Sequence, residues 1–245
     1  MEQQMTILKN VERTIITTYR KSIWRKFMEA IEEYELIQPD DSITVLLTGS
    51  IASFLLAKCM QELKRHGQIA FDLQFATLES DPMLFDVCRQ FDLPVRAIKG
   101  SKEIQTRKVA YEQCFHDVIE TVLLGILYEG RIHSILPKCK SKIYEGVEVI
   151  RPLYLVKEDA ILRWTERNHM EHLLEKLQIR NCPEDASNQV HDKEKKQVKQ
   201  LLEELCEINP NIDVNIFMST YHMNLDMMIA YEQAGIKHHF LENYE

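Results

Sequence analysis

The chain has 245 residues, of which 45% are hydrophobic and 28% are charged, so it can bury the core of one large domain, with or without a small appendage. Its formal net charge of −8 excludes a bulk nucleic-acid binder but leaves room for a local basic patch that contacts tRNA. The first residues are polar and no uncharged apolar run reaches the roughly 20 residues of a membrane span, so neither a signal peptide nor a membrane anchor is expected.

The first predicted element is a helix over residues 5–36, because apolar side chains recur there at steps of three and four residues. Arg20, Lys21, Arg25 and Lys26 form a basic cluster on or near this helix. Such a cluster is usually a solvated face, but clustered cations can also contact the phosphates of tRNA. Both interpretations stay open.

Short strands alternate with helices from residue 43 onward. The first strand is nearly all apolar, which is typical of a strand buried on both faces of a parallel sheet. The alternation favours an α/β fold with a doubly wound parallel sheet. The predicted strands cover residues 43–47, 69–78, 95–98, 108–111 and 147–153, the last at the edge of the sheet, and the predicted helices cover residues 51–65, 82–91 and 117–129.

The remainder of the chain is predicted to be mainly helical. Its helices cover residues 158–168, 193–206 and 224–234, and a polar stretch over residues 181–192 is the candidate loop. The second helix begins with a lysine-rich run, which is again either a solvated face or a contact for tRNA phosphates. Three parts are therefore predicted, namely a helical N-terminal element at residues 1–40, an α/β domain at residues 41–160 and a helical C-terminal part at residues 161–245.

The turn after the first strand is the first candidate site, because ligands of open α/β sheets bind beyond the carboxyl ends of the strands. Thr48, Gly49, Ser50 and Ser53 occupy this turn. Gly49 permits a close backbone approach, and the free N–H groups of a helix N-terminus suit a phosphate. The same residues are also those of an ordinary helix cap followed by core positions. The local residues therefore leave a phosphate site and a plain cap as alternatives.

Residues 48–53 resemble the S-G-G-K-D-S loop of the PP-loop ATP pyrophosphatase superfamily. The resemblance is closest to the tRNA 2-thiocytidine biosynthesis proteins, which are called TtcA-like. Ile51 stands where the family has Lys, and Ala52 stands where it has Asp. The resemblance implies a Rossmann-like fold of the HUP type, in which Thr48, Gly49, Ser50 and Ser53 would bind the nucleotide phosphates.

A second stretch, residues 108–137, is similar to the family segment G-H-H-x-D-D-V-x-E-T and the apolar helix after it. Asp117 is retained, so the resemblance places it at the cleft. Glu112 stands for the Gly, Gln113 and Cys114 stand for the two His, and His116 stands for the first Asp. Further similar segments lie at residues 149–161, which contain I-R-P-L, and at residues 215–241.

Cys114, His116 and Asp117 are the candidate catalytic residues. A thiol, an imidazole and a carboxylate can act as nucleophile, base and orienting group. Cys114 and His116 are two positions apart, however, and therefore point in different directions on a helix. A small buried hydrophobe is the alternative interpretation of Cys114.

Six cysteines without a C-x-x-C pair indicate free thiols in a reducing, cytoplasmic environment. The thiolating members of the family carry a C-x-x-C pair before the G-H-H-x-D-D segment, but residues 100–107 contain no cysteine. Cys182 lies near the position of a later family cysteine without such a pair. An iron–sulfur cluster is therefore not expected. No metal site is predicted either, since the pair His238-His239 has no cysteine or carboxylate at ligand spacing.

The resemblance implies an ATP- and Mg²⁺-dependent enzyme that adenylates a tRNA base and then replaces oxygen by sulfur. The changes at Ile51 and Ala52 remove the cation that would face a polyphosphate and the carboxylate that would help to hold the metal. Reduced or lost catalysis is therefore predicted. The alternative is a non-catalytic relative that binds a nucleotide, an RNA or a protein, and an oligomer is compatible with either hypothesis.

Overall fold

Two compact units make up the chain, and the first of them contains a six-stranded sheet. The computed structural model describes residues 10–67, 69–78, 82–100, 103–170 and 192–244. Unit 1 spans residues 1–118 and 135–192, and unit 2 spans residues 119–134 and 193–245. The strands of the sheet are β1 (Ser42–Leu46), β2 (Asp72–Thr77), β3 (Val95–Ala97), β4 (Lys108–Ala110), β5 (Lys138–Lys140) and β6 (Glu148–Ile150), in the order β3-β2-β1-β4-β6-β5.

β1 lies inside the sheet because its sequence suits burial on both faces. It pairs in parallel with β2 and with β4, and Ile43 and Val45 are fully buried. The hydroxyl of Thr44, which is equally buried, hydrogen-bonds to the hydroxyl of Thr106 at 2.7 Å, so this polar group is satisfied in the core. The carboxyl ends of β1 and β4 therefore lie side by side at one edge of the sheet.

The helices of unit 1 begin before the first strand. Residues 10–16 form α1, and a π-helix over Arg20–Trp24 leads directly into α2 (Arg25–Glu33). The later helices are α3 (Ile51–His66), α4 (Pro82–Gln90), α5 (Phe115–Leu124) and α6 (Glu158–Arg167). The last turn of α3 carries Lys64, Arg65 and His66, which complement the negative end of its dipole.

A buried ion pair joins the N-terminal helices to α3. Lys58 is almost completely buried, and its Nζ lies 3.0 Å from Oε1 of Glu12. Arg65 contacts the same oxygen at 3.0 Å. Burial lowers the pKa of Lys58, and the hydrogen bond to Glu12 acts in the opposite direction. Because an unpaired buried ammonium is costly, the pair fixes α1 against α3.

Unit 2 combines helices with a small hairpin. It contains the second half of α5, a π-helix over Gly125–Glu129, α7 (Asp192–Ile208) and α8 (Ile212–Ser219). The antiparallel hairpin consists of β7 (Ala230–Gln233) and β8 (Ile236–His239). Ala234 and Gly235 connect its strands with positive φ angles of 52° and 80°, as a two-residue turn of type I′ requires.

The predicted α/β fold with helical N- and C-terminal elements is confirmed, but two local predictions are wrong. The strand at residues 147–153 is not at the edge, because β5 pairs with β6 on its outer side. Residues 224–234 do not form a helix, since a 3-10 turn over Leu225–Met227 is followed by β7. Neither β5 nor α8 was predicted. The helix predicted over residues 117–129 changes from α to π geometry at Gly125.

Several predictions fall on residues outside the described ranges. These are the start of the N-terminal helix, most of the candidate loop over residues 181–192, and Cys182. The predicted domain boundaries near residues 40 and 160 stay predictions. In the described parts of the chain, no helix combines the length and the apolar character needed to cross a membrane.

Candidate functional site

The candidate site lies in the loop between β1 and α3, at the carboxyl edge of the sheet. Gly49 has a positive φ of 85°, which an L side chain rarely adopts and which turns the chain sharply into the helix. Ser50 is the N-cap of α3, and its Oγ accepts a hydrogen bond from the backbone N–H of Ser53 at 3.0 Å. The hydroxyl of Ser53 donates back to the carbonyl oxygen of Ser50 at 2.8 Å. The predicted phosphate loop is therefore a well-formed helix cap.

A carboxyl group of the chain itself accepts hydrogen bonds from the hydroxyl groups of this loop. Thr48 donates from Oγ1 to Oε1 of Glu112 at 2.5 Å, and Ser50 donates from Oγ to the same oxygen at 3.3 Å. Glu112 follows β4, the neighbour of β1, so the topology brings its side chain to the loop. Its second oxygen, Oε2, is buried without a hydrogen-bond partner. Glu112 thus contacts the donors that would serve a phosphate.

The surroundings of Glu112 disfavour its charge. Burial raises its pKa from the ordinary value of 4.5 to about 7, and the negative charge of Asp117 acts in the same direction. The hydrogen bonds from Thr48 and Ser50 oppose this shift, because they stabilise the carboxylate. Glu112 is therefore protonated more readily than an ordinary glutamate.

The three candidate catalytic residues lie together at the start of α5, and each has a local contact. The backbone N–H of Cys114 donates to Oδ2 of Asp117 at 2.6 Å, which places that carboxylate at the helix N-terminus. Nδ1 of His116 accepts a hydrogen bond from the backbone N–H of Glu158 at 3.1 Å, and so caps the first turn of α6. These contacts account for Asp117 and His116 as structural groups, while their catalytic roles stay predictions.

The thiol of Cys114 lies in an environment that opposes its ionisation. Cys114 is buried, and burial raises the pKa of its thiol well above the usual range. The negative charge of Asp117 raises it further. A nucleophilic cysteine needs a lowered pKa, because the thiolate is the reactive form. The environment of Cys114 therefore favours its interpretation as a small core residue.

The residues of the site do not match the ATP, Mg²⁺ and iron–sulfur cofactors of the proteins that the sequence resembles. Ile51 and Ala52 form the start of α3 and bring no charge to it, while Glu112 takes up the hydroxyl donors, so the loop as it stands does not fit an ATP polyphosphate. Across the described residues, no group of three or more His, Cys, Asp or Glu could hold a metal ion. Cys59 and Cys88 are buried separately, and burial raises the pKa of Cys88 to about 12. The described cysteines therefore do not fit an iron–sulfur cluster.

Glu112 is the residue whose importance the sequence did not reveal. The sequence showed it only as a replacement for a family glycine. That replacement was the available signal, since glycine leaves space where a side chain would otherwise enter the loop. The contact itself depends on the pairing of β4 with β1, which the order of the strands along the chain does not specify.

Known proteins of similar sequence cover most of the chain. The tRNA-cytidine(32) 2-sulfurtransferase of Anaeromyxobacter dehalogenans (strain 2CP-C) is 24% identical, in an alignment that covers 83% of this chain and 79% of that protein. The tRNA-cytidine(32) 2-sulfurtransferase 1 of Francisella philomiragia is 24% identical, in an alignment that covers 83% of this chain and 90% of that protein. The chain is therefore similar in sequence, over most of its length, to tRNA-cytidine(32) 2-sulfurtransferases. No family model matches it.

A solved structure supports the same fold. The U34-tRNA thiolase NcsA from Methanococcus maripaludis, solved with its [4Fe-4S] cluster, superposes on this chain with a TM-score of 0.57. The match has 15% sequence identity and covers 84% of this chain and 80% of the thiolase. At this identity the likeness shows the fold and not the chemistry, which has to be argued from the residues of this chain.

Proposed function

We propose that the chain takes part in tRNA thiolation as a TtcA-like protein with reduced or lost catalysis of its own. The similarity to tRNA-cytidine(32) 2-sulfurtransferases supports tRNA as the partner and the cytoplasm as the location. In a fully active relative, ATP would activate a carbonyl of the tRNA base, and sulfur would then replace its oxygen. The residues at the loop of this chain argue for a weaker form of that chemistry.

One observation carries the proposal, namely the contact between Glu112 and the loop. An incoming phosphate would have to displace a carboxylate from Thr48 and Ser50 or share their hydroxyls with it. A negative charge beside a phosphate weakens its binding, whereas the positive charge of the missing lysine would strengthen it. Ile51 cannot replace that cation. Both effects weaken the binding of ATP, so they act together on the first step of the reaction.

A second candidate function is a non-catalytic module that binds a protein. It is favoured by the surface of unit 2, where large apolar side chains such as Met227, Ile229 and Tyr244 are about three-quarters or more exposed. Exposed apolar surface of this kind is typical of regions that associate with another protein or with a second copy. Both candidates are compatible with weak ATP binding, so they differ in whether the chain also binds tRNA.

Equilibrium binding of Mg-ATP, measured by calorimetry, tests the proposal. Three proteins are compared: the native chain, the variant Ile51→Lys/Ala52→Asp, and the same variant with Glu112→Gly. We expect little or no binding by the native chain, a small gain from the double variant and at least a tenfold further gain when Glu112 is removed. A tenfold gain corresponds to about 1.4 kcal/mol, which is within the range of one charge-assisted contact.

The matched control adds Glu103→Gly to the double variant in place of Glu112→Gly. Glu103 is an exposed glutamate of unit 1 and does not take part in the described hydrogen bonds of the loop, so its removal should leave ATP binding unchanged. Circular dichroism checks that all variants fold. Micromolar binding by the native chain would contradict the loss of nucleotide binding. Equal gains from Glu103→Gly and Glu112→Gly would contradict the specific role of Glu112.

A further inference from the structure

Exposed cations from two separate parts of unit 1 lie on neighbouring surfaces. One group comes from the N-terminal helices and the other from α6, and all of them are exposed. The members of this basic face are Arg13, Arg20, Lys21, Arg25, Arg163 and Arg167. The chain as a whole has an excess of acidic residues, so a concentration of positive charge here is not expected from composition.

Two hydrogen bonds join the helices that carry the basic face. Nδ2 of Asn168 donates to Oγ1 of Thr14 at 3.1 Å, which brings the neighbours of Thr14 close to those of Asn168. The phenol of Tyr19 donates to the carbonyl oxygen of Arg163 at 2.6 Å. From the first contact to the second, the residue number rises on the N-terminal side and falls on the α6 side, so the two segments are antiparallel. Arg13 therefore lies near Arg167, and Arg20 lies near Arg163.

The π-helix aligns two of these arginines. The backbone N–H of Arg25 donates to the carbonyl oxygen of Arg20, five residues earlier. A π turn therefore places residues five apart one above the other, which an α-helix would not do. Ile23 points into the core from the same turn. The local geometry thus turns Arg20 and Arg25 outward together while the apolar side of the turn stays buried.

Most cations of the basic face have no ion pair among the described contacts. Arg163 is paired with Asp159 at 2.6 Å, and the adjacent Lys26 is paired with Glu29 at 2.9 Å. The described salt bridges include no partner for Arg13, Arg20, Lys21, Arg25 or Arg167. Carboxylates reduce the local excess of positive charge. Glu166 lies beside Arg167 in the sequence, and Glu29, Glu32 and Glu33 line the same groove as Lys21 and Arg25.

We infer that the basic face of unit 1 binds the phosphate backbone of RNA. Five of its six members are arginines, whose planar guanidinium groups match phosphate oxygens in a bidentate way. The 12 steps from Arg13 to Arg25 extend over at most about 18 Å at ~1.5 Å per helical residue, which is long enough to follow several phosphates. The choice of RNA rests on the proposed function, whereas the position of the face rests on the contacts.

An anionic membrane fits this surface less well. Membrane-binding helices combine basic residues with apolar side chains that insert between the lipids. Within the described residues of α1, the π-helix, α2 and α6, the exposed large apolar side chains are Ile16 and Leu162, one on each side of the face. The basic face therefore has the charge for a polyanion without the apolar stripe for a lipid surface.

The test measures the affinity of the full chain for an unmodified tRNA transcript by fluorescence anisotropy at several salt concentrations. The variant Arg20→Gln/Arg25→Gln removes two aligned cations, and Lys140→Gln/Lys237→Gln is the matched control with two exposed lysines that lie on β5 and β8, outside the basic face. We expect the arginine variant to bind at least tenfold more weakly, with a salt slope smaller by about 2, as for two lost phosphate contacts. The lysine variant should stay within about twofold of the native chain.

Each other outcome overturns the inference in a recognisable way. Unchanged affinity of the arginine variant, or equal losses in both variants, would show that RNA binds elsewhere and would leave the proposed function intact. Absence of tRNA binding by the native chain at low salt would overturn the inference together with the tRNA part of the proposed function. Binding to phosphatidylserine vesicles that depends on Arg20 and Arg25, with unchanged tRNA affinity, would identify a membrane surface instead.

Discussion

The two compact units differ in how many of their large apolar side chains they bury. In unit 1, the described sheet and helices bury most of the large ones, including Trp164, Phe27 and Ile43. Unit 2 buries only six of its described hydrophobic residues, namely Ile119, Val122, Leu124, Val198, Leu202 and Phe217. Its exposed large hydrophobic residues are Ile126, Leu127, Tyr128, Ile132, Ile208, Val214, Met218, Tyr221, Met223, Leu225, Met227, Ile229, Ile236, Phe240, Leu241 and Tyr244.

This difference follows from architecture. A parallel sheet has two faces, and each strand added to it creates positions that helices must cover, so unit 1 gains buried area with every βα step. Unit 2 has short helices and a two-stranded hairpin, and an isolated hairpin is marginally stable in water. Unit 1 can therefore support an independent fold, whereas unit 2 has a small core and a surface suited to association.

The largest expected effect comes from truncating a phenylalanine in each unit. Phe27 is fully buried in unit 1, so Phe27→Ala should lower the free energy of unfolding by about 3–5 kcal/mol. Phe217 belongs to the small core of unit 2, and Phe217→Ala should raise hydrogen exchange over residues 193–244 and leave exchange in β1 and β4 unchanged. Hydrogen exchange with mass spectrometry measures both responses. Equal acceleration in both units after Phe217→Ala would mean that they unfold together.

The second test uses the raised pKa of Glu112. A carboxyl group whose pKa is higher in the folded state binds its proton more tightly there, so its contribution to stability is present below about pH 4.5 and is lost as the pH rises through about 7. The shift corresponds to about 3 kcal/mol at most. Glu112→Gln should therefore stabilise unit 1 above pH 8 and have little effect near pH 4.5.

Urea unfolding at several pH values measures this pH dependence. Hydrogen exchange of the amides of β1 reports the stability of unit 1 in the same series. Glu103→Gln is the control, since Glu103 is exposed in the same unit. The predicted difference between the two variants grows with pH. If Glu112→Gln instead destabilised the protein at every pH, the carboxylate would be a stabilising partner of the loop rather than a group whose ionisation is costly.

The smallest expected effects concern one cap in each unit. Ser50→Ala removes the side chain that accepts the N–H of Ser53 and should cost about 1 kcal/mol, because α3 is the long buried helix of unit 1. His239→Ala removes the acceptor for the N–H of Leu241 at the exposed 3-10 turn of unit 2 and should cost less than about 0.5 kcal/mol. Thermal unfolding measures the loss of stability in each variant. A larger loss from His239→Ala than from Ser50→Ala would contradict the expectation that the cap in unit 1 contributes more stability.

Sequence reasoning succeeded where local pattern and tertiary environment agree. The apolar run of β1, the turn at Gly49 and the amphipathic course of α3 all indicate buried βα units, and the structure contains them. It failed at β5, whose three residues include Lys138 and Lys140 and show no apolar pattern. It failed again at β7, because Ala230 and its neighbours suit a helix, and only the αL conformation of Ala234 and Gly235 produces the hairpin.

The candidate site was only partly predictable. The loop residues and their place after β1 follow from the sequence, since helix caps and glycine turns have local signals. The approach of Glu112 to Thr48 does not, because it depends on which strands become neighbours across 64 residues of chain. For the same reason, the basic face could be seen only in part. Its N-terminal arginines form a cluster in the sequence, but Arg163 and Arg167 join them only through the contacts of Tyr19 and Asn168.

The division of the chain into units also has a consequence for its synthesis. Residues 119–134 belong to unit 2, but they are made before β5 and β6, which complete the sheet of unit 1. Roughly 60 residues separate this segment from the rest of unit 2, which is about 3–12 s at ~5–20 residues per second on the ribosome. During this interval the sheet can close while Ile119, Val122 and Leu124 still await α7 and α8. Unit 1 is thus the part that can fold during translation, and unit 2 is completed last.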